Sequence, residues 1–367
     1  MTVGADFSIL PAMATRFPLT LLSLPVLLAG AALTVRAHEG DPPLASQPEL
    51  KPLTERVRSG SGDFLFENVP GWGELDGQSP IGPTHGGVAV DKAGLVYTST
   101  DSADGIRVFG KDGKQVRTIA QKFAGTHSLM LREEDGVEYL YGAHLRGNQI
   151  IKIKTDGTEV LTIPWPEKSL GVDGKPIYTK AAEYKITGVT VGPDGSIYGA
   201  DGYGKQYVHK FDAKGNYVKS FGGPGTEPGK FKACHGIGLD TRGATPVLLI
   251  CDRENRRLQQ FDLDGNFQSV VTTDLRRPCT ISFHGDVAAI AELEARVAII
   301  DKSNKVVAVV GDNPDRKEWA SNPVPRENWH AAIFTAPHGC AWGANGDLYV
   351  QDWNKTGRLT KMERVKP

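Results

Sequence analysis

Three short stretches of the chain carry a histidine at the same place: Thr126-His127-Ser128-Leu129-Met130-Leu131, Cys234-His235-Gly236-Ile237-Gly238-Leu239 and Pro337-His338-Gly339-Cys340-Ala341-Trp342. Each reads as the opening of a strand, followed by a turn and a second strand such as Tyr139-Leu140-Tyr141 or Asp347-Leu348-Tyr349-Val350. Thr187 and Cys279 hold the matching place in other repeats. Neutral imidazole is a common ligand for transition metals, and three of them leave a coordination position open. Zinc or a similar divalent ion on His127, His235 and His338 could polarise a hydroxyl or carbonyl oxygen, or activate water. A histidine opening a strand could instead merely satisfy backbone groups. Three in register favour the metal.

The elements that would bring them together are short strands separated by Asp/Asn/Gly turns, in a unit of roughly 40–60 residues, the range of propeller blades. One unit reads Gly188-Val189-Thr190-Val191, the turn Gly192-Pro193-Asp194-Gly195, Ser196-Ile197-Tyr198-Gly199, Val208-His209-Lys210-Phe211, the turn Asp212-Ala213-Lys214-Gly215, and residues 217–221. Such units start near Gly86, His127, Thr187, His235, Cys279 and His338. The spacing predicts an all-β, six-bladed β-propeller whose longer gaps, 165–185 and 312–330, are loops. Phe64-Leu65-Phe66-Glu67-Asn68-Val69, ahead of the first unit, is expected to supply the missing outer strand of the last blade and close the ring. The first strand of each blade lines the channel, so the three histidines would sit at one level, about 120° apart.

The 367 residues are 40% hydrophobic with a net charge of −1, ample for a large core and without the basic excess of a nucleic-acid binder. The expected partner is a small-molecule or peptide substrate at the channel mouth of a monomer. Met13-Ala14-Thr15-Arg16, an apolar run over 17–32 and Val35-Arg36-Ala37 read as a signal peptide over 1–37, cleaved near Ala37; the rival reading is an uncleaved single-span anchor, for which the run is short and contains Pro25. The expected location is therefore periplasmic or extracellular. Residues 38–60, polar and Pro-rich, read as a linker, and 61–367 as the propeller. Cys234, Cys251, Cys279 and Cys340 show no paired spacing. They read as buried thiols on inner strands, with Cys279 in register to be a further ligand.

After the second strand, several units carry a further signature: Asp201-Gly202-Tyr203, Asp252-Arg253-Glu254-Asn255-Arg256-Arg257-Leu258, and Asp352-Trp353-Asn354 with Arg358. This resembles the NHL repeat of six-bladed propellers. Within it, the run from Asp201-Gly202-Tyr203 through Pro228-Gly229-Lys230-Phe231 and Cys234-His235 to Cys251-Asp252-Arg253-Glu254-Asn255 is similar to peptidyl-α-hydroxyglycine α-amidating lyase. The resemblance implies zinc on one histidine from each of three alternate blades, with Tyr203 and Arg253 as catalytic residues. It implies cleavage of a C–N bond in a hydroxylated amide such as peptidyl-α-hydroxyglycine. Two departures stand out. The acid that helps hold calcium in that family is Gly339 here, which puts calcium in doubt. The first-blade catalytic arginine has no counterpart in Thr98-Ser99-Thr100-Asp101, the next arginine being Arg107.

Tyr203 could be the general base that removes a hydroxyl proton, or a loop tyrosine capping the channel. Arg253 could clamp a substrate carboxylate, or pair with Glu254 or Asp252. His144, in the place of the usual Asp, and Trp353 would rim the mouth and could shape a pocket, the default reading being solvated loop residues. His85 stands one residue ahead of the ligand register, and strand alternation would turn it to another face. The second reading is a non-catalytic NHL propeller binding a protein, peptide or glycan.

Overall fold

The computed structural model describes residues 50–365. The expected signal peptide and the first part of the expected linker lie outside them. Apolar and β-branched side chains on successive residues need burial on both faces of a strand. The described chain answers with six antiparallel sheets. Blade 1 runs from its inner strand Val88–Val90 through Val96–Ser99 and Ile106–Phe109 to Gln115–Ile119. The inner strands of blades 2 to 6 are Thr126–Glu134, Gly188–Val191, Cys234–Asp240, Pro278–His284 and Pro337–Trp342. These begin within two residues of the positions expected from sequence. Each inner strand neighbours the next around the ring, and that of blade 6 neighbours that of blade 1. The fold is a six-bladed β-propeller.

Alternation assigns successive residues of one strand to different cores. In blade 4, Leu248 and Ile250 pack toward blade 3, while Leu249 and Cys251 pack toward blade 5. Six apolar clusters of this kind fill the six seams between blades.

Closure is by an N-terminal strand. Phe64–Asn68 pairs antiparallel with Arg358–Arg364 of blade 6, as expected. Phe66 is fully buried there against Trp342, ring centroids 6.1 Å apart. Residues 50–60, within the expected linker, differ from that reading: they carry packed structure. Arg58–Ser61 adds a fifth strand outside Phe64–Asn68, and the Val57 N–H donates to Asn68 Oδ1 at 2.7 Å. The physical reason is the unpaired edge of Phe64–Asn68, which needs a partner for its N–H and C=O groups.

The recurrent acid after the second strand has a mechanical role. Asp201, Asp252 and Asp352 are fully buried. They accept N–H groups from the segment entering the inner strand: Lys185 at 2.6 Å, Lys232 at 2.8 Å, and Thr335 and Ala336 at 2.9 and 2.7 Å. Asp252 also takes Arg257 Nε at 2.7 Å and Asn255 Nδ2 at 2.8 Å, which is why Asn and Arg recur at those offsets. These clamps hold the chain two or three residues ahead of Thr187, His235 and His338.

Candidate metal centre

His127, His235 and His338 open the inner strands of blades 2, 4 and 6 and are 2%, 1% and 1% exposed. Their rings form a near-equilateral triangle, with centroids 4.6 to 4.8 Å apart. The intervening blades orient two of them. His127 Nδ1 lies 2.7 Å from the Thr187 carbonyl and His235 Nδ1 lies 2.8 Å from the Cys279 carbonyl. A carbonyl oxygen only accepts, so both Nδ1 atoms carry the proton and both Nε2 atoms present a lone pair. His338 Nδ1 is buried without a hydrogen-bond partner.

The three Nε2 atoms converge on one oxygen. Tyr203 Oη lies 2.9 Å from His235, 3.3 Å from His127 and 3.5 Å from His338. Arg253 Nη1 donates to the same oxygen at 3.0 Å, with its guanidinium 5.2 Å above the Tyr203 ring. Arg253 Nε pairs with Glu254 at 2.9 Å, so the ion pair and the reach into the site coexist. Asp252 is bonded to Arg257 instead.

Burial drives the electrostatics. It pushes all three imidazoles well below their ordinary value, with the Arg253 charge adding to the push. They are therefore neutral at pH 7, the form that ligates metals. Burial pushes the Tyr203 phenol up to about 12, against the downward pull of Arg253. Cys279 is pushed up to about 11 by burial, also against Arg253.

His85 corrects the reading from alternation. Its ring lies 4.7 Å from that of His127 and 5.0 Å from that of His338, and stacks on Trp353 at 5.9 Å. The inner strand of blade 1 begins only at Val88, so His85 is in a loop where a two-residue period does not apply. Gly86, at φ 113°, bends that loop. The cluster is thus larger than a trio: ligand atoms of His85, His127 and His338 lie within 4.8 Å of one another, and so do those of His235, Cys279 and His338.

His144 is also corrected. It is 5% exposed rather than solvated, its Nε2 donating to the Ala124 carbonyl at 3.1 Å and its Nδ1 accepting from Gln149 at 3.1 Å. An imidazole donates where the acids of other blades accept. Gly339 has no room for an acid, because a Cβ there would stand 1.6 Å from the Gly86 carbonyl oxygen. Arg107 does not replace the missing first-blade arginine; it is bonded to the Ile81 carbonyl at 2.8 Å and Asp104 at 2.6 Å.

No protein-family profile matches the chain. A Caenorhabditis elegans protein named as a probable peptidyl-α-hydroxyglycine α-amidating lyase is 36% identical over 95 residues, 25% of this chain and 27% of that protein. The match therefore spans about a quarter of the relative's length. Among solved structures, a streptogramin B lyase has a TM-score of 0.54 at 14% identity, covering 85% of this chain and 98% of that one. A gluconolactonase from Xanthomonas campestris has a TM-score of 0.58 at 11% identity, covering 88% and 99%. At these identities the structures share the fold alone. Among the described residues no helix is long and apolar enough to cross a membrane.

Proposed function

We propose that this propeller is an exported, metal-dependent lyase that cleaves the C–N bond of a hydroxylated amide such as a peptidyl-α-hydroxyglycine. The observation that carries the reading is the convergence of three neutral, buried Nε2 atoms and one guanidinium on Tyr203 Oη. The donor set fits zinc or a similar divalent ion held by His127, His235 and His338. When bound, such an ion supplies a Lewis acid, an open coordination position and a positive charge that lowers the pKa of neighbouring groups.

The chain's own groups divide the remaining work. Arg253 sits where it can hold a substrate carboxylate while favouring the phenolate of Tyr203. Tyr203 Oη takes the proton of the substrate hydroxyl. The hydroxyl oxygen becomes the aldehyde carbonyl as the C–N bond breaks, and the proton passes to the amide nitrogen. A carbinolamide thus yields one amide and one glyoxylate, with no net gain or loss of protons.

The test pairs metal analysis with turnover. Protein loaded with zinc is expected to hold about one equivalent and to release glyoxylate from α-hydroxyhippurate, and His235→Ala is expected to lose both. His144→Asn, away from the centre, should keep its metal. Full metal content in all three single alanine variants of His127, His235 and His338 would refute the centre. The second reading, a non-catalytic propeller that binds a partner, draws on the missing first-blade arginine. Stoichiometric metal without turnover would favour it.

A further inference from the structure

We propose that Arg277 forms, together with Arg253, an anion subsite at the channel mouth that takes the carboxylate of the substrate. The inference rests on the functional reading above, and it locates the guanidinium that blade 1 does not provide. Arg277 directly precedes the inner strand of blade 5 and stands two residues before Cys279, whose carbonyl orients His235. Its backbone lies in the left-handed region, at φ 58°. Ala233, two residues before His235, has the same conformation at φ 63°. The fold thus demands this backbone at both places, where side chains longer than those of Gly or Asn are uncommon.

The side chain is poised rather than fully committed. Arg277 Nη2 and Nε donate to Glu254 Oε1 at 2.6 and 3.2 Å, and Arg253 Nε donates to that same oxygen at 2.9 Å. Two guanidiniums therefore share one carboxylate, leaving one positive charge uncompensated within the trio. Arg277 Nη1 has no hydrogen bond among the described residues, and the side chain is 27% exposed. Its charge is also near enough to act on the Tyr203 phenol and the Cys279 thiol. The imidazoles across the channel are neutral and do not repel an anion. A planar carboxylate bridging Arg253 and Arg277 would find the fork geometry that suits guanidinium recognition. Arg107, buried and bonded to Asp104 and the Ile81 carbonyl, cannot reach it.

The probe is hippurate, which has the carboxylate but lacks the hydroxyl that would react, set against its neutral amide, N-benzoylglycinamide. Calorimetric titration of the zinc-loaded protein is expected to show a clear preference for hippurate. Arg277→Ala should weaken hippurate binding roughly 10-fold to 100-fold and leave the amide unchanged, with Arg277→Lys between the two. Zinc content should not move. Alanine is compatible with this backbone, as Ala233 shows in blade 4, so loss of fold is not the expected outcome. Glu254→Gln removes the competing carboxylate and should tighten hippurate. With α-hydroxyhippurate, Arg277→Ala should raise KM more than it lowers kcat. Equal hippurate affinity in wild type and Arg277→Ala, or no preference for hippurate over the amide in the wild type, would overturn the subsite. Binding of hippurate that depends on Arg277, without glyoxylate release from α-hydroxyhippurate, would instead keep the subsite and remove the lyase reading.

Discussion

Tyr203→Phe removes a single oxygen from the centre, and its consequences differ with and without metal. In the metal-free protein that oxygen accepts from Arg253 at 3.0 Å and donates its one proton to a histidine, His235 being nearest at 2.9 Å. A hydrogen bond to a charged group contributes about 1.5–3 kcal/mol and a neutral one about 0.5–1.5. Their loss should destabilise the metal-free propeller by about 2–4 kcal/mol. Unfolding entropy near 2.1 cal/mol/K per residue, over roughly 300 residues, converts this to a fall in Tm of about 3–6 °C. With metal bound, the Nε2 lone pairs are already occupied, so only the Arg253 bond is lost. By linkage the variant should then bind zinc more tightly by about 1 kcal/mol, or roughly fivefold, while its rate falls roughly 10²–10⁴-fold. Thermal unfolding with chelator and with zinc, and competition against a chromophoric chelator, measure both. A tenfold loss of zinc affinity would refute the reasoning, because it would make Tyr203 a ligand rather than a competitor for the imidazoles. An unchanged Tm in chelator would show that the two bonds add nothing to stability.

Acid should destabilise the protein through His209. This fully buried ring, bonded to Tyr178 and Ser220, has its pKa pushed down to about 3 by burial. The unfolded chain protonates it below about 6.5 while the fold keeps it neutral, so its contribution is full above that pH and lost below it, about 2 kcal/mol by pH 5. Asp201, pushed up to about 6 by burial, acts in the opposite sense between that pH and its ordinary range, so wild type must be compared with His209→Gln. Urea unfolding at several pH values should show a flatter acid limb in the variant, and identical limbs would refute the claim. Phe66→Ala should cost about 3–5 kcal/mol, because it empties a fully buried position in the closing strand. A loss under about 1 kcal/mol by the same assay would mean that the ring is not held shut by this strand.

Six repeats, their turns and the closing strand are legible in the sequence because each depends on residues close together in the chain. Alternating apolar residues and Asp/Gly turns specify hairpins locally, and the three histidines stand in register with them. What failed was reading geometry where local rules lapse. His85 lies ahead of its strand, so alternation says nothing of its direction. His144 reads as a rim or loop residue until its burial and its bond to the Ala124 carbonyl are seen.

The sequence by itself therefore determined the repeating strands, the N-terminal closure and the candidacy of His127, His235, His338, Tyr203 and Arg253. Only the tertiary structure decided that these groups meet on one oxygen, which nitrogens of His127 and His235 face inward, and that the His85 ring lies beside them. The contacts that decide this cross blades: His127 to Thr187 spans 60 residues, His235 to Cys279 spans 44, and Tyr203 to His338 spans 135. Their register is set by closing six blades into a ring and packing the seams between them, a constraint that no local stretch of the chain contains.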